Sequence, residues 1–253
     1  MKRNLLLLTL MIFVLASVQA TAQTVKRPFN GTDLTGWKAN GDWPNVWKTG
    51  MLRATATTFE VVPRPTNAPN PNQNQNPAFR NFAPVLANEV AVDWNKDPRK
   101  GVDLYTEEKY GDCTVKLEFL ITRGSNSGVY LMGEYEVQIS DSFAKPPQRG
   151  LGQGDMGAIY SATAPSRNAA GVPGTWQTYE IEFAAPKFDA NGNKTAKAKF
   201  KKVILNGVLV QENVEVEGST GGGITGKEHP TGPLMFQGDH GPVAFRNIEI
   251  IVP

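Results

Sequence analysis

Apolar and polar residues alternate along most of the chain after residue 22, and no stretch shows convincing helical spacing. From Thr114 to Ile121, apolar side chains recur at every second position. Successive side chains of a strand point to opposite faces, so this alternation predicts strands with one buried face. The same alternation occurs at 134–140, 176–183, 197–205, 208–214 and 243–252.

Turn signals separate these stretches. Asn206 and Gly207 stand between two apolar runs and predict a two-residue hairpin, because a type I′ turn needs positive φ at both central residues. Residues 189–194 predict a second, looser turn. Many short strands without helical crossovers favour antiparallel sheets, and about 230 residues suffice for two sheets around one core. The predicted fold class is therefore all-β, a two-sheet antiparallel β-sandwich of jelly-roll type.

Residues 63–84 lack this alternation, with six Pro and six Asn in 22 residues. This composition predicts a long irregular loop inserted in the domain, which serves either as solvated decoration or as a lid over a site.

The first 22 residues have the pattern of a secretory signal peptide. Lys2 and Arg3 precede an apolar run at 5–18, and Ala20-Thr21-Ala22 supplies the small residues of a cleavage site. The run is too short for a comfortable membrane span. We expect cleavage before Gln23, with cleavage after Ala20 or an uncleaved anchor as alternatives. The predicted product is a secreted or periplasmic domain of residues 23–253 without stable membrane insertion, and no Cys near the cleavage site could carry a lipid.

Removal of this segment changes the net charge of the chain. The 26 basic and 24 acidic residues give a formal charge of +2, and both excess charges lie in the predicted signal peptide. A neutral mature domain favours a neutral sugar ligand over nucleic acid or an anionic membrane. The single Cys113 excludes an intramolecular disulfide. One dense basic run lacks interleaved aromatic residues and is interpreted as a solvated strand face: Lys194, Lys197, Lys199, Lys201 and Lys202.

The stretch 133–141 carries the first candidate chemistry. Alternation places Glu134, Glu136 and Gln138 on one face, with Cβ atoms of neighbouring members roughly 6 to 7 Å apart. Glycosidases use two carboxyl groups about 5 to 9.5 Å apart, so this face suits acid and base chemistry on a sugar. Gln138 cannot titrate, which weakens a conventional glycosidase. We expect Glu134 on a solvated face and treat Glu136 and Gln138 as functional candidates.

Further candidates lie in two loops. Arg123 and Asn126 belong to a turn of small residues, where the guanidinium could bind an anion and the amide could bind sugar hydroxyls; an ordinary polar turn is the alternative. Asp239 and His240 form a candidate proton-transfer or metal-binding pair, with a structural histidine as the alternative. His229 belongs to a glycine-rich loop. A divalent metal is compatible with this set, but the sequence shows none.

The order of short motifs along the chain resembles the 3-keto-disaccharide hydrolase domain family. FNGTDLTGW at 29–37 resembles its opening, and the match extends to about residue 252. The later motifs follow in the family's order: YT at 105–106, YGD at 110–112, LEF at 117–119, NSGVY at 126–130, YEVQI at 135–139, DS at 141–142, GAIY at 157–160, AP at 164–165, WQTY at 176–179, NG at 206–207, GPL at 232–234, DHG at 239–241 and FRNI at 245–248.

The resemblance implies a concanavalin A-like jelly roll that acts on glycosides whose sugar is oxidised at C3. A ketone at C3 acidifies the C2 proton, so a base can form an enolate, the C1 substituent can leave, and water can then add. Such a reaction needs a base, an enolate stabiliser and a leaving-group acid. We assign Glu136 and His240 to the acid and base, with Tyr160 as a further candidate acid. The candidate substrate contacts are Arg123, Asn126, Gln138, Asp141 and Asp239.

Two other functions compete with this one. A non-catalytic carbohydrate-binding module would use tryptophan side chains as stacking surfaces, and a conventional glycoside hydrolase would need no ketone. The sequence leaves the aglycone, the linkage, metal dependence and the oligomeric state open. The tryptophans in question are Trp37, Trp43, Trp47 and Trp94.

Overall fold

A computed structural model describes residues 23–65, 83–93 and 101–253. The predicted signal peptide, residues 66–82 of the Pro/Asn-rich loop and Trp94 lie outside the described residues. Sixteen strands form the regular structure of the described part, with one short 3₁₀ turn at Pro147–Arg149. The strands are β1 Thr24–Lys26, β2 Trp37–Asn40, β3 Trp47–Ala54, β4 Phe59–Val62, β5 Val85–Asn88, β6 Asp103–Tyr110, β7 Cys113–Ile121, β8 Asn126–Leu131, β9 Tyr135–Ser140, β10 Gln177–Ala184, β11 Lys187–Phe188, β12 Lys194–Ala196, β13 Ala198–Leu205, β14 Val208–Val216, β15 Gly232–Phe236 and β16 Val243–Val252.

Two antiparallel sheets build the domain, and β11 and β12 form a separate two-stranded sheet. The large sheet has nine strands in the order β14-β13-β10-β7-β16-β5-β3-β4, with β1 paired to β16. The small sheet has five strands in the order β2-β6-β15-β8-β9. No helix in the described ranges is long and apolar enough to cross a membrane. The predicted all-β class and antiparallel pairing are confirmed.

The alternation in the sequence matches the strands closely. In β7, Val115, Leu117 and Phe119 point into the core, and Lys116 is only partly buried. Asn206 and Gly207 have φ values of +51° and +79° and join β13 to β14, which confirms the predicted type I′ hairpin. The predicted turn at 189–194 joins β11 to β12.

The lysine side chains of β13 lie on the solvent-facing side of the large sheet. Lys202 Nζ lies 2.8 Å from Glu180 Oε1, and Lys201 Nζ lies 3.3 Å from Glu182 Oε1. These cross-strand ion pairs are partly exposed, so each adds little to stability. The pairing agrees with the interpretation of this run as a solvated strand face.

The core lies between the two sheets and contains a column of aromatic rings. Phe236 of the small sheet stacks on Phe245 of the large sheet with ring centroids 3.9 Å apart, and Trp37 stacks on Phe236 at 5.4 Å. Trp47 reaches the same column and donates its indole N–H to Val102 O at 2.7 Å. Burying such large rings supplies much of the free energy that holds the sheets together.

This column corrects one expectation of the binding-module hypothesis. Trp37 and Trp47 are only 7% and 5% exposed, so neither offers a stacking surface to a sugar. Their aromatic character fits sheet packing, which sequence alone does not distinguish from ligand stacking. Trp43 is 55% exposed and keeps that possibility.

The small sheet has one face on the core and one face turned away from it. Tyr135 and Val137 of β9 belong to the core, so the intervening Glu136 belongs to the opposite face, called here the outer face. The residues that pair across the strands in register with Glu136 form one row on this face, called the Glu136 row. It runs through Lys38, Tyr105, Met235, Tyr130 and Glu136.

Candidate active site

Glu136 is the central side chain of the outer face. It is 2% exposed, and the Tyr130 hydroxyl on the neighbouring strand donates to its Oε2 at 2.8 Å. The carboxyl group lies over Gly128, where a Cβ would be only 2.7 Å from Glu136 Cδ. The absence of a side chain at Gly128 therefore makes room for this carboxyl group.

The environment of Glu136 favours its protonated form. Burial, aided by the charges of Asp103 and Asp239, raises the pKa of this carboxyl group to about 8, against the opposing Tyr130 hydrogen bond and His240. Its Oε1 is buried and has no hydrogen-bond partner among the described residues. At neutral pH Glu136 thus holds a proton that it can donate, and one of its oxygens is left for a ligand or a water molecule.

The pair Asp239 and His240 approaches the same place from the loop after β15. His240 Nδ1 is hydrogen-bonded to Asp239 Oδ1, and this bond raises the pKa of the imidazole above its ordinary value. The Asn126 N–H donates to His240 O at 3.2 Å and fixes the loop against β8. The charge of Glu136 also raises the pKa of His240, so the structure brings the two predicted acid and base residues together.

A further carboxyl group, Asp103, lies on the outer face at the start of β6. Its Oδ1 accepts the Gly238 N–H at 3.0 Å, and burial raises its pKa to about 6. Asp103 interacts electrostatically with both Glu136 and His240. It was not among the candidates that the sequence provided.

Two glutamine residues near Glu136, Gln138 and Gln237, lie on either side of Gly128. Gln138 pairs with Gly128, and the Gln237 N–H donates to Gly128 O at 3.1 Å. The Oε1 atoms of both glutamines are buried without a hydrogen-bond partner in the described part of the chain. Unpaired buried acceptors are costly, so we expect each of these oxygens to accept a hydrogen bond from a water molecule or a ligand.

Tyr160 lies beside the outer edge of β9, in a segment that pairs with this strand. Its N–H donates to Glu136 O at 3.2 Å, which places the two residues side by side. The ring is half-buried and packs near Gly221, where a Cβ would be 3.1 Å from Tyr160 Cε1. The geometry keeps Tyr160 next to the candidate acid, and its own role as an acid stays a prediction.

The expectation that Glu134 lies on a solvated face is wrong. Its side chain is 2% exposed, and its Oε1 accepts the Thr225 N–H at 2.8 Å and the Thr225 hydroxyl at 2.7 Å. Its Oε2 accepts the Gly226 N–H at 3.0 Å. The carboxylate thereby holds the glycine-rich loop, residues 218–231, against the β8–β9 hairpin. The alternation in the sequence correctly grouped Glu134 with Glu136, but it did not reveal the loop that covers Glu134.

Replacing Glu134 by Gln is expected to destabilise the protein by about 2 kcal/mol, because a buried carboxylate that accepts three hydrogen bonds loses its charge and one acceptor site. Urea unfolding measures the change. The matched control is Glu212→Gln, since Glu212 is exposed on β14. Equal losses for the two variants would contradict the anchoring role of Glu134.

Arg123 and Asp141 lie in the turns that flank β8 and β9. The Arg123 N–H donates to Ala56 O at 2.7 Å, which places its backbone beside the β3–β4 turn of the large sheet, and its side chain is exposed. Asp141 Oδ2 accepts the Gly124 N–H at 2.8 Å and stabilises the turn before β8. Both stay predicted substrate contacts, with a structural role now shown for Asp141.

The residues that sequence reasoning missed are Tyr130, Asp103 and Gln237. A signal for Tyr130 was present, because residues 132–134, with Gly133 at positive φ, form a three-residue loop between β8 and β9. The pairing of Leu131 with Tyr135 then sets Tyr130 opposite Glu136. Asp103 and Gln237 depend on strand neighbours far apart in sequence, which alternation alone does not specify.

No group of three or more His, Cys, Asp or Glu side chains within the described residues is arranged to hold a metal ion.

Comparison with protein families gives one match over most of the chain. The family model described as the 3-keto-alpha-glucoside-1,2-lyase-like domain matches residues 24–251. The chain belongs to this family. The matched range of the 3-keto-alpha-glucoside-1,2-lyase-like domain contains every candidate site residue named above. No curated protein matches the sequence.

Solved structures also resemble this 3-keto-alpha-glucoside-1,2-lyase-like domain. A candidate glycosyl hydrolase from Parabacteroides distasonis ATCC 8503 is 25% identical, with a TM-score of 0.53 over 91% of each chain. A second one from that organism is 19% identical, with a TM-score of 0.50 over 89% of this chain and 92% of that chain. The predicted jelly-roll fold is confirmed.

Proposed function

We propose that this protein cleaves glycosides whose sugar carries a ketone at C3, by removing the C2 proton and expelling the C1 substituent. The observation that carries the proposal is the buried Glu136, whose raised pKa keeps it protonated beside the His240–Asp239 pair. An elimination needs a base for the C2 proton and an acid for the leaving oxygen, and these side chains can supply both. Membership in the family supports the same chemistry.

His240 is the base in this proposal. Asp239 accepts from Nδ1, so the lone pair of the neutral imidazole lies on Nε2. Nε2 takes the C2 proton, and the electron pair of the C2–H bond forms the C2–C3 double bond of an enolate. The Asn126 side chain, at the start of β8 beside the His240 backbone, is the candidate donor to the enolate oxygen.

Glu136 is the acid in this proposal. As the C3 carbonyl reforms, the C1–C2 double bond forms and the C1–oxygen bond breaks. The leaving oxygen takes the proton of Glu136. Water then adds at C1 and gives a proton to the Glu136 carboxylate, while protonated His240 returns a proton to C2. Both side chains end the cycle in their starting forms.

The order of the groups along the strands suits this sequence of steps. His240 lies next to Asn126, the first residue of β8. From there toward the β8–β9 turn, Gln138 comes next and Glu136 follows. A sugar ring over Gln138 and Gln237 would have C2 toward His240 and the glycosidic oxygen toward Glu136. The two unpartnered glutamine oxygens would accept its hydroxyl groups.

A conventional glycoside hydrolase is the second candidate, favoured by Asp103. This carboxyl group faces the same site, and its pKa of about 6 leaves it largely ionised at neutral pH while Glu136 is protonated. A protonated and an ionised carboxyl group are the pair that ordinary glycoside cleavage requires.

Incubating the purified mature protein with a glycoside and with its 3-keto derivative distinguishes the candidates. We expect release of the aglycone from the keto sugar, with a rate at least about 100-fold above that from the parent, because only the ketone acidifies the C2 proton. Equal release from both would support the conventional hydrolase. Binding without release from either would support a carbohydrate-binding module.

A further inference from the structure

A cavity lined by residues of β6, β15 and the glycine-rich loop opens on the same face as Glu136. Its volume is about 540 Å³, within the range of roughly 300 to 1,000 Å³ that is usual for pockets holding drug-sized ligands. It lies between β2 and β6 on one side and the glycine-rich loop on the other. Glu136 and His240 do not line it, so it is a separate space from the site described above.

The cavity lies next to one end of the Glu136 row and next to the β8–β9 turn. Tyr105, a member of the Glu136 row, lines the cavity. Three strand spacings separate Tyr105 from Glu136, so their Cα atoms are about 14 Å apart. Glu134, two positions before Glu136, also lines it. A group expelled at Glu136 in the direction away from His240 would leave toward this cavity.

The lining suits an apolar ring better than a sugar. Met132, Ile224 and Pro233 form aliphatic walls, and the half-buried Tyr105 offers an aromatic surface. The oxygens of Glu134 are already engaged by the glycine-rich loop, and Lys38 is paired with Glu107 at 3.1 Å. Lys109, His229 and Thr231 are further polar residues of the lining, while the larger part of its surface is apolar.

We propose that this cavity binds the leaving group of the substrate and that this leaving group is an aryl aglycone. The assignment rests on the proposed function for its direction, and on the cavity lining for its chemistry. The expelled phenol would lie between Tyr105 and Ile224, with its oxygen toward Glu136. The protein would accordingly prefer aryl glycosides among 3-keto substrates.

The test compares three 3-keto glucosides of one anomeric configuration, with methanol, 4-methylumbelliferone or glucose as the leaving group. Tyr105→Ala and Ile224→Ala are the test variants. Leu209→Ala is the control, because Leu209 is exposed on β14 of the other sheet. Both test variants should lower kcat/KM for the aryl substrate about tenfold and leave the methyl substrate within about twofold, as expected for loss of one ring contact.

Binding of free 4-methylumbelliferone, followed by its fluorescence, gives a readout that needs no turnover. Wild type and Leu209→Ala should bind it equally, and both test variants should bind it about tenfold more weakly. If no 3-keto glycoside is cleaved but this binding difference is found, the proposed function fails and the aryl site stands. Turnover with unchanged aryl preference and unchanged phenol binding in both variants would overturn the aryl site. An effect confined to the glucose leaving group would overturn it as well.

Discussion

Replacing Glu136 by Gln is expected to lower kcat on a 3-keto glycoside by about 10²- to 10⁴-fold, the usual contribution of a positioned general acid. Gln keeps the shape of the side chain and can still accept from Tyr130, but it has no acidic proton to give to the leaving oxygen. Steady-state kinetics with the methyl glycoside, whose leaving group is a poor one, measure the full effect. An unchanged kcat would contradict the assignment of Glu136 as the acid.

The stability of the same variant shows whether the loss is catalytic. The folded pKa of Glu136, about 8, lies above its ordinary value of 4.5. The contribution of the protonated carboxyl group to the free energy of unfolding is fully present below pH 4.5 and is lost as the pH rises through 8. Gln does not titrate, so the variant should match wild type near pH 4 and exceed it by about 3 kcal/mol at pH 7. A variant that is inactive and less stable at pH 7 would indicate misfolding instead.

Replacing Gly128 by Ala is expected to lower kcat about 100-fold, since displacing a reacting group by about 1 Å can cost that much. The new Cβ would stand 2.7 Å from Glu136 Cδ, and real Cβ atoms do not approach that closely, so the carboxyl group must move. The movement also disturbs the 2.8 Å hydrogen bond from Tyr130. The measurement is kcat on the 3-keto glycoside, with circular dichroism to verify the fold.

Gly154→Ala is the matched control for this substitution. Gly154 has open space around its Cβ position, so kcat should stay within about twofold of wild type. If Gly128→Ala behaves like Gly154→Ala, the carboxyl group over Gly128 does not need its observed position for catalysis.

Much of the fold followed from the period-two pattern. The alternation in 115–121 and 135–139 placed strands and their buried faces correctly because each face packs on one core. The Asn206-Gly207 turn was equally clear, since few residue pairs adopt positive φ twice. Of the predicted acid and base, Glu136 lies on the outer face of the small sheet, and His240 lies in the loop after β15.

Contacts between distant segments account for the errors. Glu134 has a strand-face pattern, but the glycine-rich loop about 90 residues later covers it and supplies three hydrogen bonds. Trp37 and Trp47 belong to an aromatic column that only the packing of two sheets creates. Asp103 joins the site because β6 lies two strands from β8, an order that no local pattern specifies.

Reaction in D₂O tests the central claim, removal of the C2 proton, most directly. The free 3-keto sugar formed from a 3-keto glycoside is analysed by mass spectrometry and proton NMR, and the same sugar incubated with the protein corrects for exchange after release. Protonated His240 returns either the original proton or, after exchange with the medium, a deuteron, so elimination predicts deuterium at C2 of at least part of the product and slower cleavage of the C2-deuterated substrate. A product that keeps its original C2 hydrogen throughout, together with equal rates for the C2-protiated and C2-deuterated substrates, would contradict elimination and indicate direct hydrolysis.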